Sequence, residues 1–212
     1  MIENQLKMNI LAIGAHPDDI EVGCGGTLAK YSEKGHNVYL YIATDGGAGG
    51  DGKTRIREQQ SSAKILGVKE LYWGGYSDTQ ISINKEAIWN LEKVIKKVSP
   101  DLIFVNFWDD THQDHRHIAQ ITISATRYVR NVLFYETPTT QNFNPNVFVQ
   151  LGEKYLRIKE KLLLAHKSQV SKTNISGITI IEVARSNALF RGVQARVDYA
   201  EAFQSLRLFI NI

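Results

Sequence analysis

His16-Pro17-Asp18-Asp19 and His112-Gln113-Asp114-His115 gather three imidazoles and three carboxylates into two short clusters far apart in the chain. His16 and Asp19 are three apart, as are His112 and His115, so one turn of backbone aims each pair at a common centre. If the clusters converge, His16, Asp19 and His115 form the donor set of a catalytic zinc, three protein ligands with a position open for water. Asp18 is then left over, and hydrolysis at a metal also needs a base near the attacking water. Pro and Asp are equally ordinary turn and helix-start residues, so either cluster alone could be a capped loop. A zinc-binding protein without catalysis is a further alternative, in which Asp114 or Asp110 closes the metal as a fourth ligand.

The elements that must position these clusters are legible around them. Residues 8–14 and 100–106 are short apolar runs rich in branched side chains, which read as buried strands, and each cluster follows one of them. In an open α/β sheet, sites form outside the carboxyl ends of strands. Helices are expected over 25–34, 54–66, 85–98 and 115–129, with further strands over 37–44, 69–73 and 132–136. The alternation predicts an α/β fold: a Rossmann-like, doubly wound, mostly parallel sheet with helices on both faces. It stops at the proline-containing loop 137–145. Helices are expected again over 151–166 and 175–191, and 1–212 is read as one domain, an α/β core (1–136) carrying a C-terminal cap (137–212).

At this point the chain resembles the zinc-dependent N-deacetylases of the LmbE-like or PIG-L family. The resemblance rests on the AHPDD run at 15–19, Gly25-Gly26-Thr27-Leu28-Ala29, Arg55 with Glu58 ahead of Leu66-Gly67-Val68, and HQDH at 112–115. Ala165-His166-Lys167-Ser168-Gln169 and Tyr199-Ala200-Glu201-Ala202-Phe203 extend it towards the end of the chain. It implies zinc on His16, Asp19 and His115, Asp18 as the base, and a protonated His112 stabilising the oxyanion. It also implies removal of an N-acetyl group from a GlcNAc-type amino sugar or sugar conjugate, giving acetate and a free amine. One departure is that Ile20 follows the two aspartates, where many members have Glu; here Glu21 comes next.

Other residues carry weaker signals. Arg55, at the start of a helix beside a flexible loop, could reach a substrate hydroxyl or phosphate, or pair with Glu58 one turn on. His166 closes a helix, where an imidazolium suits the dipole, and the family-like context suggests a substrate role. Trp108 could line a sugar pocket. Asp114 could orient His16 or His115, since metal-bound imidazoles usually carry an outer carboxylate. The rim loops 45–52, 74–82 and 137–145 offer Tyr76, Asp78, Gln80 and Asn142 to hydroxyls. They hold no long apolar run, which disfavours a lipid-linked substrate.

Gly47-Ala48-Gly49-Gly50-Asp51-Gly52-Lys53-Thr54 also matches the phosphate-binding G-x-x-x-x-G-K-[ST] pattern between a strand and a helix, so a P-loop-like NTPase is the rival enzyme. It explains neither histidine cluster. A net charge of +3, with basic residues dispersed, gives no footprint for nucleic acid. No run is long and apolar enough to span a bilayer, and the start, Met1-Ile2-Glu3-Asn4-Gln5, is polar. A cytoplasmic enzyme acting on a small amino sugar is therefore expected, and a homo-oligomer is compatible with the sequence. The single cysteine, Cys24, lies among glycines and reads as a packing residue.

Overall fold

The computed structural model describes residues 7–210, so the polar start at 1–5 lies outside the described residues. Five strands, β1 (Asn9–Gly14), β2 (Asn37–Thr44), β3 (Glu70–Tyr76), β4 (Leu102–Asn106) and β5 (Val132–Tyr135), alternate with helices. The helices are α1 (Asp19–Glu33), α2 (Gly52–Leu66), α3 (Lys85–Val98) and α4 (Gln113–Ala125). The chain continues through β6 (Val147–Gln150), α5 (Gly152–Ala165), α6 (Ile180–Ala195) and β7 (Ala200–Arg207). All seven strands share one sheet in the order β3-β2-β1-β4-β5-β7-β6. The first five pair in parallel, while β7 runs antiparallel to both β5 and β6.

Both faces of the central strands are covered, which is why β1 and β4 read as near-continuous apolar runs rather than alternating ones. Leu11, Ile13, Ile103 and Val105 pack with Leu91, Ile95 and Ile118 on the α3/α4 face. Ile10, Ala12 and Phe104 meet Ile20, Leu28, Leu66 and Leu162 on the α1/α2/α5 face. Among the described residues no helix is long and apolar enough to cross a membrane.

The last third differs from the expected cap in also supplying β6 and β7, which extend the sheet. β6 is a short edge strand and β7 is buried only over its first half, so their apolar pattern is weak. α6 starts at Ile180 rather than 175 because Thr179 forms a capping box with Glu182 there. α1 starts at Asp19, earlier than the glycines suggested. Those glycines are packing positions: a Cβ on Gly23 would collide with the Tyr135 ring, and one on Gly26 with Leu151.

α1 is bent at Cys24, whose φ of -143° is not helical. A buried ion pair from the far part of the chain holds the bend. Lys159 Nζ donates to the Val22 carbonyl (2.6 Å) and to Glu201 Oε1 (2.5 Å), while Glu201 accepts from the Gly26 and Thr27 N–H groups at 3.0 and 2.7 Å. The pair thus caps the end of the first segment, which carries Asp19, and the start of the second. Glu201→Gln would strand the Lys159 charge and is expected to cost about 3–5 kcal/mol, the scale of breaking a buried pair from one side. Chemical denaturation would read this as a lowered midpoint with an unchanged slope.

Candidate active site

The parallel sheet reverses its winding between β1 and β4, and both histidine clusters emerge there, at the carboxyl ends of those strands. Asn106, the last residue of β4, ties the two ends together. Its Oδ1 accepts from the Ala15 N–H (3.2 Å) and from the Tyr135 hydroxyl (3.0 Å), and its Nδ2 donates to Asp19 (3.4 Å). His112 caps α4, its Nδ1 accepting from the Asp114 N–H at 3.2 Å, so the first turn of that helix delivers His115 to the same place.

Asp19 sits between two imidazoles, 3.4 Å from His16 Nδ1 and 3.2 Å from His115 Nε2. Each ring's opposite nitrogen meets buried carboxylates: His16 Nε2 faces Asp78 (3.1 Å) and Asp114 (3.3 Å), and His115 Nδ1 faces Asp110 (3.1 Å). This is the outer support that metal-bound histidines use to fix tautomer and orientation. Asp114 is itself held by the Thr79 N–H at 2.7 Å, and Asp78 by the Ala48 N–H at 2.8 Å. Asp110 and Asp114 meet the ring nitrogens turned away from Asp19.

The electrostatics match a cation site. Burial disfavours charge on both imidazoles, yet Asp114, Asp19 and Asp78 outweigh it and hold His16 well above its usual range. Asp19 and Asp110 likewise raise His115 to about 9. Asp19, despite burial, is held low by His115 and His16. His16 bonding pulls Asp78 down to about 2. A pocket that stabilises imidazolium is one that stabilises positive charge, and two nitrogens with one carboxylate oxygen suit zinc. The residues therefore fit such a metal, which His16 Nδ1, Asp19 and His115 Nε2 would hold.

The groupings whose potential ligand atoms all lie within 4.8 Å of one another are different ones, His16 with His112 and His115, and His16 with Asp78 and Asp114. Both fit less well. His112 Nδ1 is committed to the Asp114 N–H, and Asp78 and Asp114 face the nitrogen of His16 turned away from Asp19.

Asp18 lines the same cavity of about 530 Å³ as His16, Asp19, His112 and His115. Its φ of 96° is left-handed, a strained choice for a residue with a side chain. Burial raises its carboxyl to about 6, against the opposing pull of Arg55 and His166. His112 packs edge-on to His16 (4.5 Å) and stacks on His115 (4.8 Å). Burial and the two neighbouring cations lower its pKa.

The GlcNAc-PI de-N-acetylase (PIG-L) family matches residues 11–126, which include every residue of the two clusters. The uncharacterized deacetylase YaiS of Escherichia coli is 37% identical over 170 residues, 76% of this chain and 92% of that protein. The chain belongs to the PIG-L family. The diacetylchitobiose deacetylase of Thermococcus kodakarensis is 29% identical over 197 residues, covering 78% of this chain and 71% of its own. The N,N'-diacetylchitobiose deacetylase of Pyrococcus horikoshii superposes with a TM-score of 0.80 at 27% identity, over 93% of this chain and 83% of that one. The conserved protein TT1542 of Thermus thermophilus gives 0.85 at 25%, over 97% of both.

Membership in the PIG-L family does not favour the phosphate-loop reading, and the geometry of the loop agrees. Asp51 caps α2 with its own carboxylate, accepting from the Thr54 N–H and hydroxyl at 2.9 and 2.6 Å, so a negative group already occupies the helix start where a phosphate would sit. Lys53 is exposed. The protein is expected to show no saturable binding of Mg-ATP by calorimetry.

Of the three residues expected at the substrate, Arg55 lines the cavity, whereas His166 and Trp108 are not among its lining residues. Arg55 is 5% exposed, and its guanidinium donates to the Gly46 and Pro17 carbonyls, both at 2.7 Å, and to Asp18 at 3.4 Å. It holds Asp18 and the glycine loop in place, while Glu58 binds Ser168 instead. His166 is 1% exposed and lies beneath the site, 3.5 Å from Glu21. Burial alone would lower its pKa, but Glu21 outweighs this and the net shift is upward. Trp108 packs on Phe107 and Phe134 and takes no part in the cavity wall. Of the rim residues singled out, Asp78 reaches the cavity.

Other contributors were not read from the sequence. Glu21 accepts from Gln59 and Ser62, both at 2.7 Å, and Gln59 in turn accepts from the Asp18 N–H at 3.2 Å. Asn106 ends a strand whose other members are apolar, which was the available signal for it. The segment from Gln169 to Val183 forms a whole wall, and no local pattern announces that.

Proposed function

We propose that this chain is a zinc-dependent hydrolase that removes the N-acetyl group of a GlcNAc-type amino sugar, releasing acetate and a free amine. The observation that carries it is the meeting of Asp18, His112 and the His16–Asp19–His115 donor set on one cavity, in a chain whose relatives are deacetylases. The sugar follows from those relatives, which act on diacetylchitobiose or, in Corynebacterium glutamicum, on a 2-acetamido-2-deoxy-glucopyranoside of inositol.

Zinc, when bound, supplies Lewis acidity that activates water and polarises a carbonyl. Asp18 takes the proton from the attacking water, aided by a carboxyl poised near neutrality, and returns it to the departing amine. Arg55 and Gln59 keep Asp18 aimed while it does so. His112 acts at the developing oxyanion. Because its Nδ1 accepts the helix-capping N–H, its Nε2 carries the proton in the neutral ring and donates from there. The expected imidazolium is thus replaced by a neutral donor, which the lowered pKa favours.

The proposal takes residues 1–212 as one cytoplasmic domain. Acetate release from a panel of N-acetylated amino sugars by zinc-loaded protein tests it. Activity confined to acetylated lysine side chains would remove the sugar while leaving the deacetylase.

A further inference from the structure

The reaction cavity continues into a second chamber of about 590 Å³, and Val22, Thr137, Pro138, Ile175 and Val183 belong to the walls of both. Beyond that shared waist the far chamber is lined by the apolar Ile178, Ala184 and Phe190 and by the polar Glu136, Thr140, Glu182, Ser186 and Asn187. Ile175 and Phe190 stand 57% and 56% exposed, an unusual amount of apolar surface directly beside a polar catalytic centre.

The isoleucines are not on a loose strand of chain. Thr173 Oγ1 donates to the Ile178 carbonyl at 2.6 Å, and the Ile178 N–H donates to the Ile175 carbonyl at 3.2 Å, closing a turn that presents both.

The chamber offers no free cation among the described residues that line it. Arg191, which is not one of the lining residues, has its guanidinium engaged by Glu136, at 2.7 and 2.6 Å, and by Gln194 at 2.8 Å. Glu182 is engaged in the cap of α6. An anionic group such as a phosphate would meet no counter-charge here, whereas an uncharged apolar group would cover the exposed side chains. The catalytic clusters lie within the residues that the family match spans, while the walls from Thr137 to Phe190 lie beyond it.

We infer that the second chamber is a subsite for an uncharged apolar aglycone, an aryl or alkyl group attached to the amino sugar whose acetamide sits at the catalytic cluster. This rests on the deacetylase function proposed above and names its substrate more closely. The apolar walls come from 175–190, outside the polar rim loops 45–52, 74–82 and 137–145.

The test compares the methyl, phenyl and hexyl N-acetyl-β-glucosaminides on zinc-loaded protein, following acetate release. Phenyl and hexyl glycosides should exceed methyl by about tenfold in kcat/KM, mainly through KM, the lower end of what one apolar contact contributes to discrimination. Ile178→Ser and Phe190→Ser should bring that ratio close to one, whereas Trp89→Ser, on the distant α3, should leave it unchanged. Equal rates on all three glycosides, or a preference that survives both variants, would overturn the subsite and leave the deacetylase standing. If no glycoside is hydrolysed, ligand-observed NMR decides separately. Phenyl glucosaminide binding more tightly than methyl, and loosening in Ile178→Ser, supports the chamber, and equal binding rejects it.

Discussion

Asp18→Asn is expected to lower acetate release by roughly two to four powers of ten, the contribution of a positioned general base, while zinc content stays equimolar. The amide is isosteric and keeps the contacts that hold the turn: the backbone N–H on Gln59 and the Pro17 carbonyl on Arg55. It loses the ability to accept a proton. Stability should move the other way. The Asp18 carboxyl sits at about 6 against an ordinary 3.8, so folding favours its neutral form. The cost of keeping it ionised is present above pH 6 and disappears as the pH falls below the unfolded value. Removing the charge should therefore stabilise the metal-free protein at pH 7–8, on the order of 2 kcal/mol, with the advantage shrinking towards pH 4. Loss of zinc from this variant would instead mean that Asp18 and Asp19 have exchanged roles.

The strain at Asp18 points the same way. A left-handed φ at a non-glycine residue persists only where its surroundings over-determine it, and here Arg55, Gln59 and the α1 start all do so. Activity and stability are thus opposed at one carboxylate. A substitution that relaxes the turn is expected to raise the denaturation midpoint and to misplace the base.

The central architecture was legible because its signals are local. β1 and β4 are buried on both faces and so read as apolar runs, α3 shows a clean apolar stripe, and Gly67 ends α2 in the left-handed conformation that glycine allows. The convergence of two clusters at two strand ends then followed from the winding rule alone. What stayed hidden is non-local. β6 and β7 pair only with strands distant in sequence or with each other, and their antiparallel register is set by the sheet edge they complete. Nothing near Lys159 or Glu201 reveals that they clamp the bend in α1.

The site divides in the same manner. Histidine and aspartate at three-residue spacing advertise themselves, but spacing cannot tell that His166 lies off the cavity wall while Arg55 lines it. Burial does not separate them either, since His16, Asp19 and His115 are as buried as Arg55, and the hydrogen-bond partners carry the distinction. His166 and Glu21 form a titratable pair beneath Asp18, and Arg55 commits its donors to backbone carbonyls. Asp78, just past an edge strand, became a partner of His16 only through the fold of its loop.

Zinc removal is the other large effect. A strong chelator should abolish acetate release, and added zinc should restore it in the wild type but not in His16→Ala or His115→Ala, whose zinc content should be near zero by metal analysis. The outer carboxylates give a graded result: Asp114→Asn and Asp110→Asn should weaken zinc binding roughly 10- to 100-fold without abolishing it. Affinity should also depend on pH with a definite sign. Zinc must displace the protons that Asp114, Asp19, Asp78 and Asp110 hold on His16 and His115, the latter up to about pH 9. Apparent affinity should therefore rise steadily from pH 6 to 9. Zinc bound only by the folded state should raise the melting temperature by mass action, about 2.7 kcal/mol of stability at a hundred times Kd, and this gain should grow with pH over the same range. Full activity in chelator, or equimolar zinc retained by His115→Ala, would show that the cluster holds protons rather than a metal.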